Sequence, residues 1–175
     1  MKNISDLSFL VIDDDQHMLS IVRLLLQAFG ADAVHECAEA SRAVETFRAI
    51  RPDIIVVSQS IGPMSGIEFA KAARRSKESP DRYVPIILIT SNSKRKNLYE
   101  ARDAGITEIL LKPMSGEDLL ARIESIIRNP RPFIDAAGYV GPCRRQMQMP
   151  SFRGPERRKK SANLVVAQLS EHMAG

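Results

Sequence analysis

The sequence predicts a parallel β-sheet covered by helices on both faces, followed by a basic extension. Three short apolar runs, Phe9-Leu10-Val11-Ile12, Ile54-Ile55-Val56-Val57 and Ile86-Ile87-Leu88-Ile89, are too short for helices and rich in β-branched residues, as strands buried on both faces are. The segments between them have helical periodicity. Strand and helix alternate five times in under 130 residues, the pattern of a strand crossing over through a helix to a parallel neighbour.

Residues 9–12 form the first strand. A helix follows, with Met18, Leu19, Ile21, Val22, Leu25, Leu26 and Phe29 on its apolar stripe, Asp15 as its N-terminal cap and Gly30 closing it. Ala33-Val34-His35-Glu36-Cys37 is the second strand, and a helix spans about 38–50. The third strand, 54–57, leads to a helix over 66–75. The fourth, 86–89, leads to one over 94–104. Thr107-Glu108-Ile109-Leu110-Leu111 is the fifth strand, and the last helix, 116–128, carries Leu119, Leu120, Ile123, Ile126 and Ile127 on one face.

The chain has 175 residues, of which 44% are hydrophobic and 26% charged; that length suits one domain with a remainder. Residues 1–129 carry 17 Lys and Arg against 18 Asp and Glu, whereas 130–175 carry 8 against 3. A near-neutral body therefore bears a basic tail, and the tail is the part suited to an anionic partner. Cys37 and Cys143 give no disulfide framework. The three histidines do not cluster into a zinc site. No apolar run approaches a membrane span or the core of a secretory signal, so the expected location is cytoplasmic.

Sheets of this kind place their chemistry at the carboxyl ends of the strands. The first strand ends in Asp13-Asp14-Asp15, the third in Ser58, the fourth in Thr90-Ser91 and the fifth in Lys112-Pro113. Carboxylates, a hydroxyl and a lysine at one edge suit magnesium and a phosphoryl group. Over residues 6–129 the sequence resembles the receiver domains of bacterial response regulators, the CheY-like family. The resemblance rests on the acidic pair, Pro52-Asp53, Met64-Ser65-Gly66, Thr90-Ser91, Ala104-Gly105 and Lys112-Pro113 taken jointly. It implies a flavodoxin-like (βα)5 fold with strand order 2-1-3-4-5. It also implies magnesium held by Asp13 and Asp14, a switch formed by Thr90 and Lys112, a cis bond before Pro113, and a signalling role rather than enzymatic activity.

One position departs from the pattern. The phosphoacceptor aspartate of the family falls at Ser58, whose hydroxyl is a poor nucleophile without an activating base. Loss of that carboxylate also leaves a weakened magnesium site. Asp53 lies five residues earlier, at the opposite end of the strand, and does not substitute. The proline of Ile61-Gly62-Pro63-Met64 is shifted by one place, and Ile109 stands where the family often has its switch aromatic. On one reading the surviving residues are scaffold, with Lys112 neutralising Asp13 and Asp14. On another, residual metal binding or unorthodox phosphorylation persists.

After residue 129, 46 residues remain, too few for a separate output domain. They contain a repeat with a period of thirteen: Tyr139-Val140-Gly141-Pro142-Cys143-Arg144-Arg145 and Phe152-Arg153-Gly154-Pro155-Glu156-Arg157-Arg158. Each Gly-Pro is expected to turn the chain and fix the direction of the arginine pair. Arginine reads guanine bidentately, stacks on purines and pairs with phosphate. A ligand with two guanines and two phosphates matches a duplicated arginine pair, and the whole architecture resembles the CheY-like cyclic di-GMP effectors of motile bacteria.

The resemblance makes cyclic di-GMP the expected ligand of Arg144, Arg145, Arg153, Arg157 and Arg158, with Tyr139 and Phe152 packing on bases or on the receiver. The expected partner is the flagellar motor or another signalling protein. Two other readings of the tail stand beside this one: nonspecific nucleic-acid or anionic-surface attraction, and a tail that contacts only protein, in a pseudo-receiver adaptor without nucleotide sensing. Beyond the repeat, Ala162, Val165, Val166, Leu169 and Met173 form a stripe that predicts a short terminal helix. The expected organisation is a receiver over 1–129 and an arginine-rich tail over 130–175.

Overall fold

In the structure, a computed structural model that describes residues 3–136, 138–143 and 163–166, strand and helix alternate as expected. β1 (Ser8–Ile12), α1 (Gln16–Ala28), β2 (Ala33–Cys37), α2 (Ala40–Ile50) and β3 (Ile54–Ser58) come first. A small hairpin of β4 (Ser60–Ile61) and β5 (Met64–Ser65) leads into α3 (Gly66–Arg75). Then follow β6 (Ile86–Thr90), α4 (Arg95–Asp103), β7 (Glu108–Leu111) and α5 (Gly116–Arg128). The five long parallel strands are ordered β2-β1-β3-β6-β7, which is 2-1-3-4-5 when only these are counted.

The absence of alternation in the strand sequences has a direct cause: β1, β3 and β6 are buried along their whole length. Leu10, Ile12, Ile55, Val57, Ile86 and Leu88 face a core closed by α2 and α3 and joined by Ala101 of α4. Phe9, Val11, Ile54, Val56, Ile87 and Ile89 face the opposite core, closed by α1 and α5. Each such side chain contributes about 1.5–3 kcal/mol. The helix starts are fixed locally. The Asp15 carboxylate accepts from the N–H groups of His17 (2.9 Å) and Met18 (3.4 Å), while Ser65 with Glu68 and Ser115 with Asp118 form capping boxes.

The chain does not leave this body at residue 129. β8 (Pro132–Ala136) and β9 (Tyr139–Pro142) form an antiparallel hairpin, with β10 (Asn163–Val166) on the other side of β8, in the order β10-β8-β9. Two expectations are corrected here. Gly141-Pro142 belongs to a strand and makes no turn, because Pro142 lies opposite Phe133 in the hairpin register. Residues 163–166 of the predicted terminal helix are strand, since pairing with β8 overrides the helical spacing of Val165 and Val166. The rest of that stripe lies outside the described residues. No helix among the described residues is long and apolar enough to cross a membrane.

Candidate functional site

The fold brings Asp13, Asp14, Ser58, Thr90 and Lys112 to the carboxyl edge of the sheet, as expected. Asp13 follows β1 directly and is buried. Its Oδ1 accepts the Asp15 N–H at 3.0 Å, and its backbone N–H donates to the Cys37 carbonyl at 3.2 Å. Burial raises its carboxyl above the ordinary value, against the lowering effects of the Asp15 N–H, the Lys112 charge and the Ser58 hydrogen bond. Asp14 is exposed, and its Oδ2 accepts the Gly62 N–H at 2.8 Å. Gly62 stands at the β4–β5 turn in the left-handed conformation (φ 70°) that glycine adopts without strain.

Ser58 ends β3 and is buried, with its hydroxyl turned to Asp13. Gly66 abuts it so closely that a Cβ there would collide with the Ser58 carbonyl and stand 2.9 Å from Leu88 Cδ1. Thr90 ends β6. Its Oγ1 accepts the Asn92 N–H at 2.9 Å, and its carbonyl accepts the Lys112 N–H at 2.8 Å. The Lys112-Pro113 bond is cis. Asp53 lies at the other end of β3, buried, accepting from Ser8 N (2.9 Å) and Ser8 Oγ (2.8 Å).

This edge offers two carboxylates, each already accepting a backbone N–H, a neutral hydroxyl and an ammonium. Among the described residues no group of three or more His, Cys, Asp or Glu could hold a metal. The carboxylates that would hold magnesium here are those of Asp13 and Asp14, two in number, with any further ligands left to water or a phosphoryl group.

Tyr139 lies elsewhere, on β9 in the extension. Its hydroxyl donates to the Pro142 carbonyl at 2.9 Å and its ring covers Gly141. The contacts shown for this residue are with its own strand, whereas the expectation was packing on bases or on the receiver. Arg144, Arg145, Phe152, Arg153, Arg157 and Arg158 lie outside the described residues.

Sequence reasoning missed a second cluster, formed by Arg74, Gly105 and Phe133. A faint signal was available: Arg74 falls four residues after Ala70 and seven after Ile67, on the buried stripe of α3.

The model of the response regulator receiver domain matches residues 9–124. The chemotaxis protein CheY of Pseudomonas aeruginosa is 26% identical over 120 residues, covering 69% of this chain and 95% of that protein. The phosphate regulon transcriptional regulatory protein PhoB of the same organism is 27% identical over 128 residues, covering 71% of this chain and only 53% of PhoB, about half its length. The solved structure of the chemotaxis response regulator CheY4 of Vibrio cholerae superposes with a TM-score of 0.62 at 27% identity, over 68% of this chain and 97% of that one. With the receiver model matched across most of the chain and the strand order of the sheet in agreement, this protein belongs to the response regulator receiver domain family.

Proposed function

We propose that this receiver signals without phosphorylation at position 58, takes cyclic di-GMP as its input through Arg144, Arg145, Arg153, Arg157 and Arg158, and passes the signal by contact with the flagellar motor or another motility protein. The observation that carries the reading is the duplicated aromatic-x-Gly-Pro-x-Arg-Arg motif, two arginine pairs thirteen residues apart in a segment of strongly basic charge. Ser58 supports it from the other side: the family's usual input is an acyl phosphate, and a hydroxyl bonded to Asp13 is poorly placed to form one.

The energies are compatible. Micromolar affinity corresponds to about 8 kcal/mol. Folding on binding costs about 2–5 kcal/mol, and each bidentate arginine–guanine contact contributes about 1–3 kcal/mol of discrimination. Four or five arginines acting together suffice, whereas one pair does not.

Calorimetric titration with cyclic di-GMP, beside GTP and a short DNA duplex, tests the reading. Saturable micromolar binding of the cyclic dinucleotide alone, abolished when Arg157 and Arg158 are both changed to Ala, is the expected result. Equal weak binding to all three polyanions, or full affinity in the double variant, would overturn it. A second reading, a constitutive adaptor, is favoured by the Ser58 hydroxyl and the Lys112 charge both acting on the Asp13 carboxyl. It predicts partner affinity that is the same with and without nucleotide. Incubation with acetyl phosphate and magnesium, followed by intact mass, separates both from a conventional phosphorelay, which alone predicts an added phosphate.

A further inference from the structure

Arg74, at the C-terminal end of α3, is 1% exposed, and its hydrogen bonds go to main-chain carbonyls. Nε and Nη2 donate to the Gly105 carbonyl at 3.1 and 3.0 Å, and Nη1 donates to the Arg82 carbonyl at 3.1 Å. The Arg82 Nε donates back to the Arg74 carbonyl at 2.8 Å. Burial pushes the guanidinium down to about 9, with Asp81 partly offsetting it. A buried cation is costly, and an apolar side chain of similar volume would avoid that cost. A planar fork joins three chain segments at once, which no apolar side chain can do.

The third segment is the extension. The Arg74 guanidinium lies 5.0 Å from the centre of the Phe133 ring, and Phe133 is itself 1% exposed. Tyr83 meets the same ring edge-on at 5.8 Å, and its hydroxyl donates to Asp135 at 2.9 Å. Gly105, at φ 87°, has no room for a Cβ, which would stand 2.5 Å from the Val140 carbonyl of β9. At the end of the hairpin Cys143 is tied on both sides. Its N–H donates to the Pro132 carbonyl at 2.7 Å, and its carbonyl accepts from Arg131 Nη2 at 2.6 Å.

We infer that Arg74 is a positioning residue: it pins the β8–β9 hairpin to the receiver body and thereby fixes the point from which Arg144 and Arg145 depart. The clamp stands on the contacts above. Its consequence for ligand capture rests on the cyclic di-GMP reading. A root held at one place reduces the ordering cost of bringing the first arginine pair onto a ligand.

The test uses the full chain with Arg74→Met, Arg74→Lys and Phe133→Leu, measuring amide hydrogen exchange and calorimetric affinity for cyclic di-GMP. In Arg74→Met, exchange in β8 and β9 is expected to accelerate at least about tenfold while β3 and β6 keep their protection, and the Kd is expected to rise at least about tenfold. Arg74→Lys is expected to restore neither, because an ammonium lacks the fork. Phe133→Leu leaves the receiver side intact and is expected to loosen the hairpin to a lesser extent; it decides the matter if Arg74→Met does not fold.

Unchanged hairpin exchange in Arg74→Met and Phe133→Leu would overturn the clamp, as would acceleration spread equally over β3 and β6. A loosened hairpin with unchanged affinity would overturn its consequence for the ligand. If the unaltered chain binds no cyclic di-GMP, the functional reading fails, while the exchange data still decide the clamp.

Discussion

At the scale of single residues, the edge that carries Asp13 is defined by a conflict between charge and burial. Because the folded-state pKa of Asp13 is raised, the native protein holds this proton more tightly than the unfolded chain does. The ionised carboxylate therefore costs stability at neutral pH, and the cost is relieved as the pH falls through the raised value toward the ordinary carboxylate range. Asp13→Asn keeps an acceptor for the Asp15 N–H. Thermal unfolding should show a higher midpoint for it at pH 7, with the gain narrowing toward about pH 4; a lower midpoint at pH 7 would mean that attraction to Lys112 outweighs burial. The pairing of Asp13 with Ser58 was legible only in part. Both residues are visible at strand ends, but the hydrogen bond between them depends on how β1 and β3 register.

At the scale of elements, the start of α1 was readable because its cap, Asp15, contacts N–H groups only two and three residues on, and the capping box of α5 is equally local. Ser115 Oγ accepts the Asp118 N–H at 3.1 Å, and the Asp118 carboxylate accepts the Ser115 N–H at 2.9 Å. The Ser115 N–H and the Ser115 hydroxyl, which donates to Asp118 Oδ2 at 2.8 Å, hold the Asp118 carboxyl below its ordinary value. The stabilisation is thus complete above the unfolded pKa and is lost as the pH falls through the lowered one. Ser115→Ala is expected to cost about 1 kcal/mol in urea unfolding at pH 7, with a smaller loss in acid. The elements misjudged were those whose conformation is imposed from outside. β10 has helical spacing, and β9 contains a Gly-Pro that reads as a turn; both are strands because β8 lies between them and supplies their hydrogen bonds.

At the scale of the whole molecule, the extension and the receiver share buried surface. Phe133 sits against Arg74 and Tyr83, and Val140 against Gly105. Phe133→Ala should therefore lower the local stability of the hairpin by about 3–5 kcal/mol, read as faster amide exchange in β8 and β9 while β3 and β6 keep their protection; equal acceleration in all four strands would show that hairpin and receiver open only as one unit. The placement also separates two functions in space. Asp13, Ser58, Thr90 and Lys112 occupy the carboxyl edge of the sheet, while the hairpin packs near Gly105 and Thr107, where β7 begins. An input received by the tail would therefore enter the receiver at the end opposite the position where its relatives carry a phosphoacceptor.

Local chemistry in the sequence determined the strand runs, the helix caps, the strand-end residues and the serine at position 58, because each depends on neighbours a few residues apart or on the repeated βα unit. The tertiary structure alone decided that the chain after α5 folds back on the receiver and that a buried arginine holds it there. Arg74, Gly105 and Phe133 are 31 and 28 residues apart in sequence. Their contact is a product of packing; periodicity marks only that Arg74 lies on the buried stripe of α3 and says nothing of its partners.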